Sequence, residues 1–453
     1  MPSPKHKKRR KRPDKKQPEF TFDTMVKFFR QTISGFPDRR IGENTKYSIE
    51  DAALGAFSLF FTQSPSFLAF QSAMQKAKGQ NNAQSLFGLT QIPCNNHIRD
   101  LMDPVHPGRV MPVFTHALEG LGQAGHLEGF RSYNNNLLVA MDGTQYFASN
   151  KIHCQNCSTK QHKNGTVTYS HAVVTPVIVA PGNNKVIALP PEFITPQDGH
   201  DKQDCENAAA KRWLDQYASQ YQALGVTVLG DDLYCKQPIC SKLLDQGLDF
   251  ILVCKPDSHP TLYQWLGEMD AMQAVETLVI KRWTGKVHQT DTYRFANQLP
   301  LRDGQDGLYV NWCELTTTQP DGKIVYKNAF ATNFEVSKDN VQQIVKDGRA
   351  RWKVENENNN VLKNRGYNLE HNFGHGKKHL SSLLLTFNLL AFLFHTVLEL
   401  MDEKYRLVRQ ALPTRKTFFD DLRALTRYMY FPDWNALLAF MMRGLKIEVP
   451  DTS

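Results

Sequence analysis

The chain has 453 residues, 41% hydrophobic and 22% charged, which is too long for one core and ordinary enough for two or three domains. Its formal charge of +9 is uneven: residues 1–16 hold nine Lys or Arg against one Asp, leaving about +1 for the other 437. These numbers exclude a protein that is basic throughout and describe a nearly neutral body carrying a polycationic arm.

The arm, residues 1–21, cannot bury apolar surface and is expected to be disordered alone. It reads as an attractor for phosphate backbones, with a solubilising tail as the plainer alternative. No apolar segment follows it as in a secretory leader, and the eight scattered cysteines read as reduced thiols, so a cytoplasmic, nucleoid-associated protein is expected. Residues 22–130 show apolar spacing of three and four, as in Met25–Thr32 and Asp51–Phe61, and predict a helical N-terminal DNA-binding region. Within it, Ile92–Asp100 reads as an Asn-capped turn entering a short helix. That is either half of a DNA-reading helix pair or ordinary helical packing.

From Leu137 the pattern changes. Leu137–Met141 is a short apolar strand ending at Asp142-Gly143-Thr144. Strands follow at Thr166–Tyr169, Val173–Val179 and Lys185–Leu189, with turns at Asn164-Gly165 and Pro181–Asn184. A helix over Asp204–Leu224 leads to the buried strand Val226–Leu229, stopped by Gly230-Asp231-Asp232. A helix at Ile239–Leu244 and a strand at Phe250–Cys254 complete the series. A meander followed by βαβ units predicts an α/β domain, a mixed sheet flanked by helices, over 131–271 and 336–405. Residues 272–335 alternate and turn at Asp306-Gly307 and Asp321-Gly322, predicting an inserted β-rich subdomain. Helices resume near Asn340, and 406–453 is a C-terminal helical region. The apolar run Leu380–Leu400 is long enough to cross a bilayer, but it contains Asn388, His395 and Glu399 and reads better as a buried helix, so no membrane partner is expected.

Two strands end in Asp, at 142 and 231. Either alone is what a turning strand often shows. A third carboxylate is offered by Arg351–Lys363, read as an α-helix. With Glu355 as origin, Leu362 lies about 20° away, Arg351 and Asn359 about 40°, Trp352 about 60° and Glu357 about 160°. The face with Trp352 and Leu362 is expected on the sheet, turning Glu355 inward and Glu357 to solvent. Three converging carboxylates suit two Mg²⁺ ions, or Mn²⁺ in their place, for phosphodiester chemistry. Asp232 competes with Asp231; the spacing to Tyr234 favours Asp231.

These residues resemble the DDE transposases of bacterial insertion sequences, with Asp142 in AMDGT, Asp231 in GDDLY and a β-rich insertion before the helix carrying Glu355. The resemblance spans about 135–400 and implies an RNase H-like catalytic domain. Its helix signature is Tyr, two residues, Arg, three, Glu, six, Lys. Arg351 and Glu355 match; Gly348 stands for the Tyr, and Lys363 arrives one residue late. The segment 355–380 also resembles an unclassified insertion-sequence subgroup. The resemblance implies a catalytic and metal-binding triad of Asp142, Asp231 and Glu355. It also implies hydrolysis at terminal inverted repeats, strand transfer into double-stranded target DNA, and a homodimer on DNA. Arg351, Lys363, Lys255, Lys377 and Lys378 are candidate DNA contacts. An RNase H-like nuclease and a catalytically inactive transposase-derived DNA-binding protein are the alternatives; glycoside hydrolysis is disfavoured by the basic arm. Separately, Cys154 and Cys157 form one CxxC, a candidate structural Zn²⁺ site that Cys205, His171 or His200 would complete, set against ordinary reduced cysteines.

Overall fold

The computed structural model describes residues 20–40, 45, 47–75, 81–196 and 204–448. All but the last two residues of the basic arm lie outside these, as does His200.

A nine-stranded mixed sheet organises the chain. Its first strand, β1 (Leu137–Ala140), is buried at every position, as a strand covered on both faces must be. The polypeptide then leaves this sheet to build a second one from β2 (Gly143–Ser149), β3 (Ser158–Gln161) and β4 (Val167–Val174). It returns through Thr175-Pro176 as β5 (Val177–Ala180) and β6 (Asn183–Ala188); β7 (Glu192–Ile194) then pairs with β4. The run Val173–Val179, which reads as one strand, is therefore two strands in different sheets. β8 (Val226–Gly230) and β9 (Asp249–Val253) follow, and then β10 (Glu276–Trp283), β11 (His288–Pro300), β12 (Tyr309–Thr318) and β13 (Ile324–Thr332). The central order is β10-β11-β12-β13-β9-β8-β1-β5-β6. β5 runs antiparallel to both of its neighbours, β6 and β1, whereas β8 and β9 run parallel to β1. This is the expected meander followed by βαβ units. The β-rich insertion continues the same sheet, β13 pairing with β9 through Phe330↔Val253.

Among the described residues, six α-helices precede the sheet: α1 (Phe22–Ile33), α2 (Ile49–Phe61), α3 (Phe67–Met74), α4 (Asn82–Phe87), α5 (Asn95–Met102) and α6 (Met111–Gln123). The N-cap of α5 is Cys94, which makes no side-chain cap bond, so the expected Asn cap is corrected. Helices α7 (Glu206–Gln222), α8 (Gln237–Asp245) and α9 (Pro260–Ala271) lie between strands, and α10 (Val341–Arg349) packs on β9, β11 and β12. A π-helical turn (Val354–Asn359) continues into α11 (Asn360–Asn364). Then come α12 (Leu380–Met401), α13 (Glu403–Ala411), α14 (Arg415–Tyr428) and α15 (Trp434–Gly444).

α12 is long and apolar enough to cross a membrane, but it is buried from Leu383 to Leu398, packed against α2 and β6. Its polar members are accommodated: His395 bonds Tyr405 Oη at 2.7 Å and Phe61 O at 2.9 Å, and Asn388 donates to Tyr367 O. An aromatic cluster of Phe22, Phe61, Phe87, Phe394 and Trp434 joins both ends of the chain around α12.

Candidate active site

β1 and β8 are neighbouring parallel strands with Ala140 opposite Leu229. Asp142 and Asp231 each lie two residues further on, so the register alone brings them to the same end of the sheet. Ends of adjacent parallel strands are where an open α/β sheet leaves a crevice.

Asp142 is partly buried. Its Oδ2 accepts from Asn359 Nδ2 at 3.0 Å, and its carbonyl accepts from the Thr175 amide at 3.0 Å. Its carboxyl is pushed up to about 7, first by burial and then by Glu206, Glu355 and Asp231, against the opposing pull of Arg351. Asp142 thus feels three other carboxylates and the Arg351 guanidinium.

Glu206 is the member that sequence reasoning missed. It opens α7, where its Oε1 accepts from the Gly143 amide and from Tyr234 Oη, both at 2.8 Å. Burial holds its carboxyl above the usual range, with Asp231 acting the same way and the two hydrogen bonds opposing. No motif marks it: it is one Glu at a helix start.

Asp231 and Asp232 point apart, as consecutive residues leaving a strand do. Asp231 stays in the turn, with Oδ1 accepting from Leu233 N at 2.9 Å, and adds to the field at Asp142 and Glu206. Asp232 turns to β9, accepting from the Lys255 amide at 2.7 Å and standing 3.3 Å from His259 Nε2.

The segment carrying Glu355 departs from expectation. Residues 354–359 are π-helical, so a wheel of 100° per residue does not apply. Trp352, expected on the sheet, is 44% exposed, while Val354, Asn358, Asn359 and Leu362 are buried. Glu355 nonetheless enters the field of Asp142, and Arg351 Nη1 lies 2.6 Å from its Oε1 as an ion pair. Asn359 is a second missed residue, although the wheel put it on the Glu355 face. It links Asp142 to Thr175 Oγ1, from which its Oδ1 accepts at 2.9 Å. Among the described residues, Asp142, Asp231 and Glu355 do not form a group with all ligand atoms within 4.8 Å of one another.

The expected DNA contacts are dispersed. Lys255 is exposed beyond β9; Lys363 pairs with Glu370 at 2.9 Å; Lys377 and Lys378 are exposed. A cleft of about 600 Å³ beside the π turn is lined by Lys185, Arg365, Arg409, Arg415 and Lys416, with Glu357 and Glu399. Cys154 and Cys157 lie beside His171 and His375, whereas Cys205 is exposed as the N-cap of α7, outside this group.

Among solved structures, the chain is similar to piggyBac transposase in a synaptic complex with hairpin DNA. The TM-score is 0.39 at 10% identity, over 96% of this chain and 81% of that one. No family model matches the chain, and no curated protein does.

Proposed function

We propose that the chain is a DNA transposase that cuts and rejoins DNA through Asp142, Asp231 and Glu355, with Glu206 as a fourth carboxylate of the site. The observation that carries this reading is the crowding itself. Asp142 and Asp231 stand at the ends of two adjacent parallel strands, and Asp142, pushed up to about 7, feels Glu206 and Glu355 as well. Like charges gathered without matching cations favour a protein that binds divalent metal there.

The donor set fits Mg²⁺ or Mn²⁺, since every candidate ligand is a carboxylate oxygen. Asp142, Asp231 and Glu355 would hold the ions, which when bound supply charge neutralisation at the attacking and leaving oxygens. The chain's own residues do the rest. Asn359 holds the Asp142 carboxylate by Oδ2, and Tyr234 and Gly143 hold Glu206. Arg351, paired with Glu355, is placed to meet a phosphate at the rim. The basic cleft beside the π turn, with Lys255, Lys363, Lys377 and Lys378, gives the DNA backbone its counter-charges; Lys363 would exchange Glu370 for phosphate. The N-terminal region 22–130 and the basic arm would add contacts to terminal repeats, with a homodimer bridging two ends on nucleoid DNA.

The test uses labelled transposon-end DNA with Mg²⁺ and the variants Asp142→Ala, Asp231→Ala and Glu355→Ala. Binding should survive while cleavage falls at least about 10³-fold in each. Full cleavage by Glu355→Ala together with loss in Glu357→Ala would reject the assignment. Cleavage without joining of the 3′-hydroxyl to target DNA would make the chain an RNase H-like nuclease instead. Binding with no cleavage by the unaltered chain would make it an inactive DNA-binding relative.

A further inference from the structure

Away from the carboxylates, four soft ligands converge. Cys154 and Cys157 sit in the turn between β2 and β3, His171 is on β4, and His375 comes from the loop before α12. Sγ of Cys154 and Cys157 are 3.9 Å apart. His171 Nε2 is 3.5 and 3.4 Å from them, and His375 Nε2 is 3.6 Å from Cys157 Sγ. A tetrahedral zinc with Zn–S of about 2.3 Å and Zn–N of about 2.0–2.1 Å has ligand edges of about 3.8 Å for S–S and about 3.6 Å for S–N. The observed edges match those lengths. We propose that Cys154, Cys157, His171 and His375 bind one structural Zn²⁺.

Two further features agree. The CxxC turn is a knuckle, with the Cys154 amide donating to Cys157 Sγ at 3.4 Å. The loop carrying His375 is held independently of any metal. Asp103 accepts from the amides of Lys377, Lys378 and Leu380 at 3.0–3.1 Å, and Arg99 donates to Phe373 O at 2.7 Å. Cys154 and Cys157 are free thiols, their Sγ atoms 3.9 Å apart and unbonded. All four coordination positions are taken by protein, so the site is structural and closed. On binding, Zn²⁺ replaces the two thiol protons, which leave to solvent.

The consequence is a clip. β2 begins at Gly143, directly after Asp142, and the His375 loop follows the segment that carries Glu355 and Asn359. The metal would tie these two arms together, and this holds whether or not the chain is a transposase.

The full chain, purified with a thiol reductant from zinc-supplemented cells, is analysed for metal and then exchanged with Co²⁺. About one zinc per chain is expected, with the absorption of a tetrahedral thiolate-bound cobalt. Cys157→Ser and His375→Gln should each drop zinc below about 0.2 per chain, while Cys205→Ser and Cys254→Ser keep it. The cobalt spectrum of the unaltered chain stands even if a variant fails to fold. A metal-free chain, a cobalt spectrum without thiolate bands, a Cys154–Cys157 disulfide in place of metal, or zinc lost from Cys205→Ser or Cys254→Ser would each overturn the proposal.

Discussion

Replacing Gly143 by alanine probes the acidic site through one methyl group. Gly143 lies outside the left-handed backbone region, so space alone decides the outcome. An ideal Cβ there falls 2.3 Å from Glu206 Oε2, 2.5 Å from its Cδ and 3.0 Å from Oε1. Carbon and oxygen rest comfortably near 3.5 Å, so the carboxylate must retreat by roughly 1 Å. That puts at risk its 2.8 Å bonds from the Gly143 amide and Tyr234 Oη. Hydrogen bonds to a charged group contribute about 1.5–3 kcal/mol each, and the side chain can recover part by rotating, so a loss of about 2–4 kcal/mol is expected. Urea unfolding of Gly143→Ala, Glu206→Ala and the double variant gives the answer. With the Glu206 side chain gone the methyl has room, and Gly143→Ala should cost less than about 0.5 kcal/mol. Equal costs in both backgrounds would refute the reasoning.

Asn359→Ala removes the bond to Asp142 Oδ2 and takes from buried Asn358 Nδ2 the acceptor it meets at 3.0 Å, so it should cost about 1–3 kcal/mol. If the chain cleaves DNA as proposed, single-turnover cleavage should slow at least about 10-fold while DNA affinity holds, since the residue positions a carboxylate. Gly348→Ala places Cβ 2.8 Å from two ring carbons of Phe330 and 2.9 Å from Ile251 Cγ2. Overpacking of about 1–3 kcal/mol should appear as a lower urea midpoint, and an unchanged midpoint would contradict the tight seating of α10. His395 is buried and held neutral, its pKa well below the ordinary value. As acid is added the unfolded chain takes up that proton first. The stabilisation is therefore complete above about pH 6.5 and falls below it by up to ~1.4 kcal/mol per pH unit. Unfolding at pH 7.5, 6.5 and 5.5 should show a shallower acid dependence in His395→Gln than in the unaltered chain.

What could be read from the sequence follows burial. β1, β5 and β8 announce themselves because strands covered on both faces are continuous apolar runs. β3, Ser158–Gln161, has three exposed residues in four and offers no apolar alternation to detect. The split of Val173–Val179 was hidden because both halves are apolar. Asp142 and Asp231 were visible as strand ends, but which Asp faced inward depended on the Lys255 amide claiming Asp232. Glu206 and His375 lie far along the chain from their partners, His375 being 218 residues from Cys157, so only the fold unites them. Gly348, which departs from the resembled signature, has a packing reason: the space a larger side chain would need is filled by Phe330 and Ile251.

The π turn after Lys353 has a consequence for how that signature is counted. A turn closed by i→i+5 bonds holds one residue more than an i→i+4 turn. Everything beyond it is therefore delayed by one position in sequence while keeping its bearing around the helix axis. Lys363 follows Glu355 by one residue more than the resembled pattern allows, and the wide turn, Val354–Asn359, holds Glu355 and ends before the lysine. By helix geometry the wide turn offsets the extra residue, and Leu362, which occupies the expected number, is buried. Removing one residue from 356–358 would let the turn close with i→i+4 bonds, making the spacing match while leaving Lys363 on its bearing.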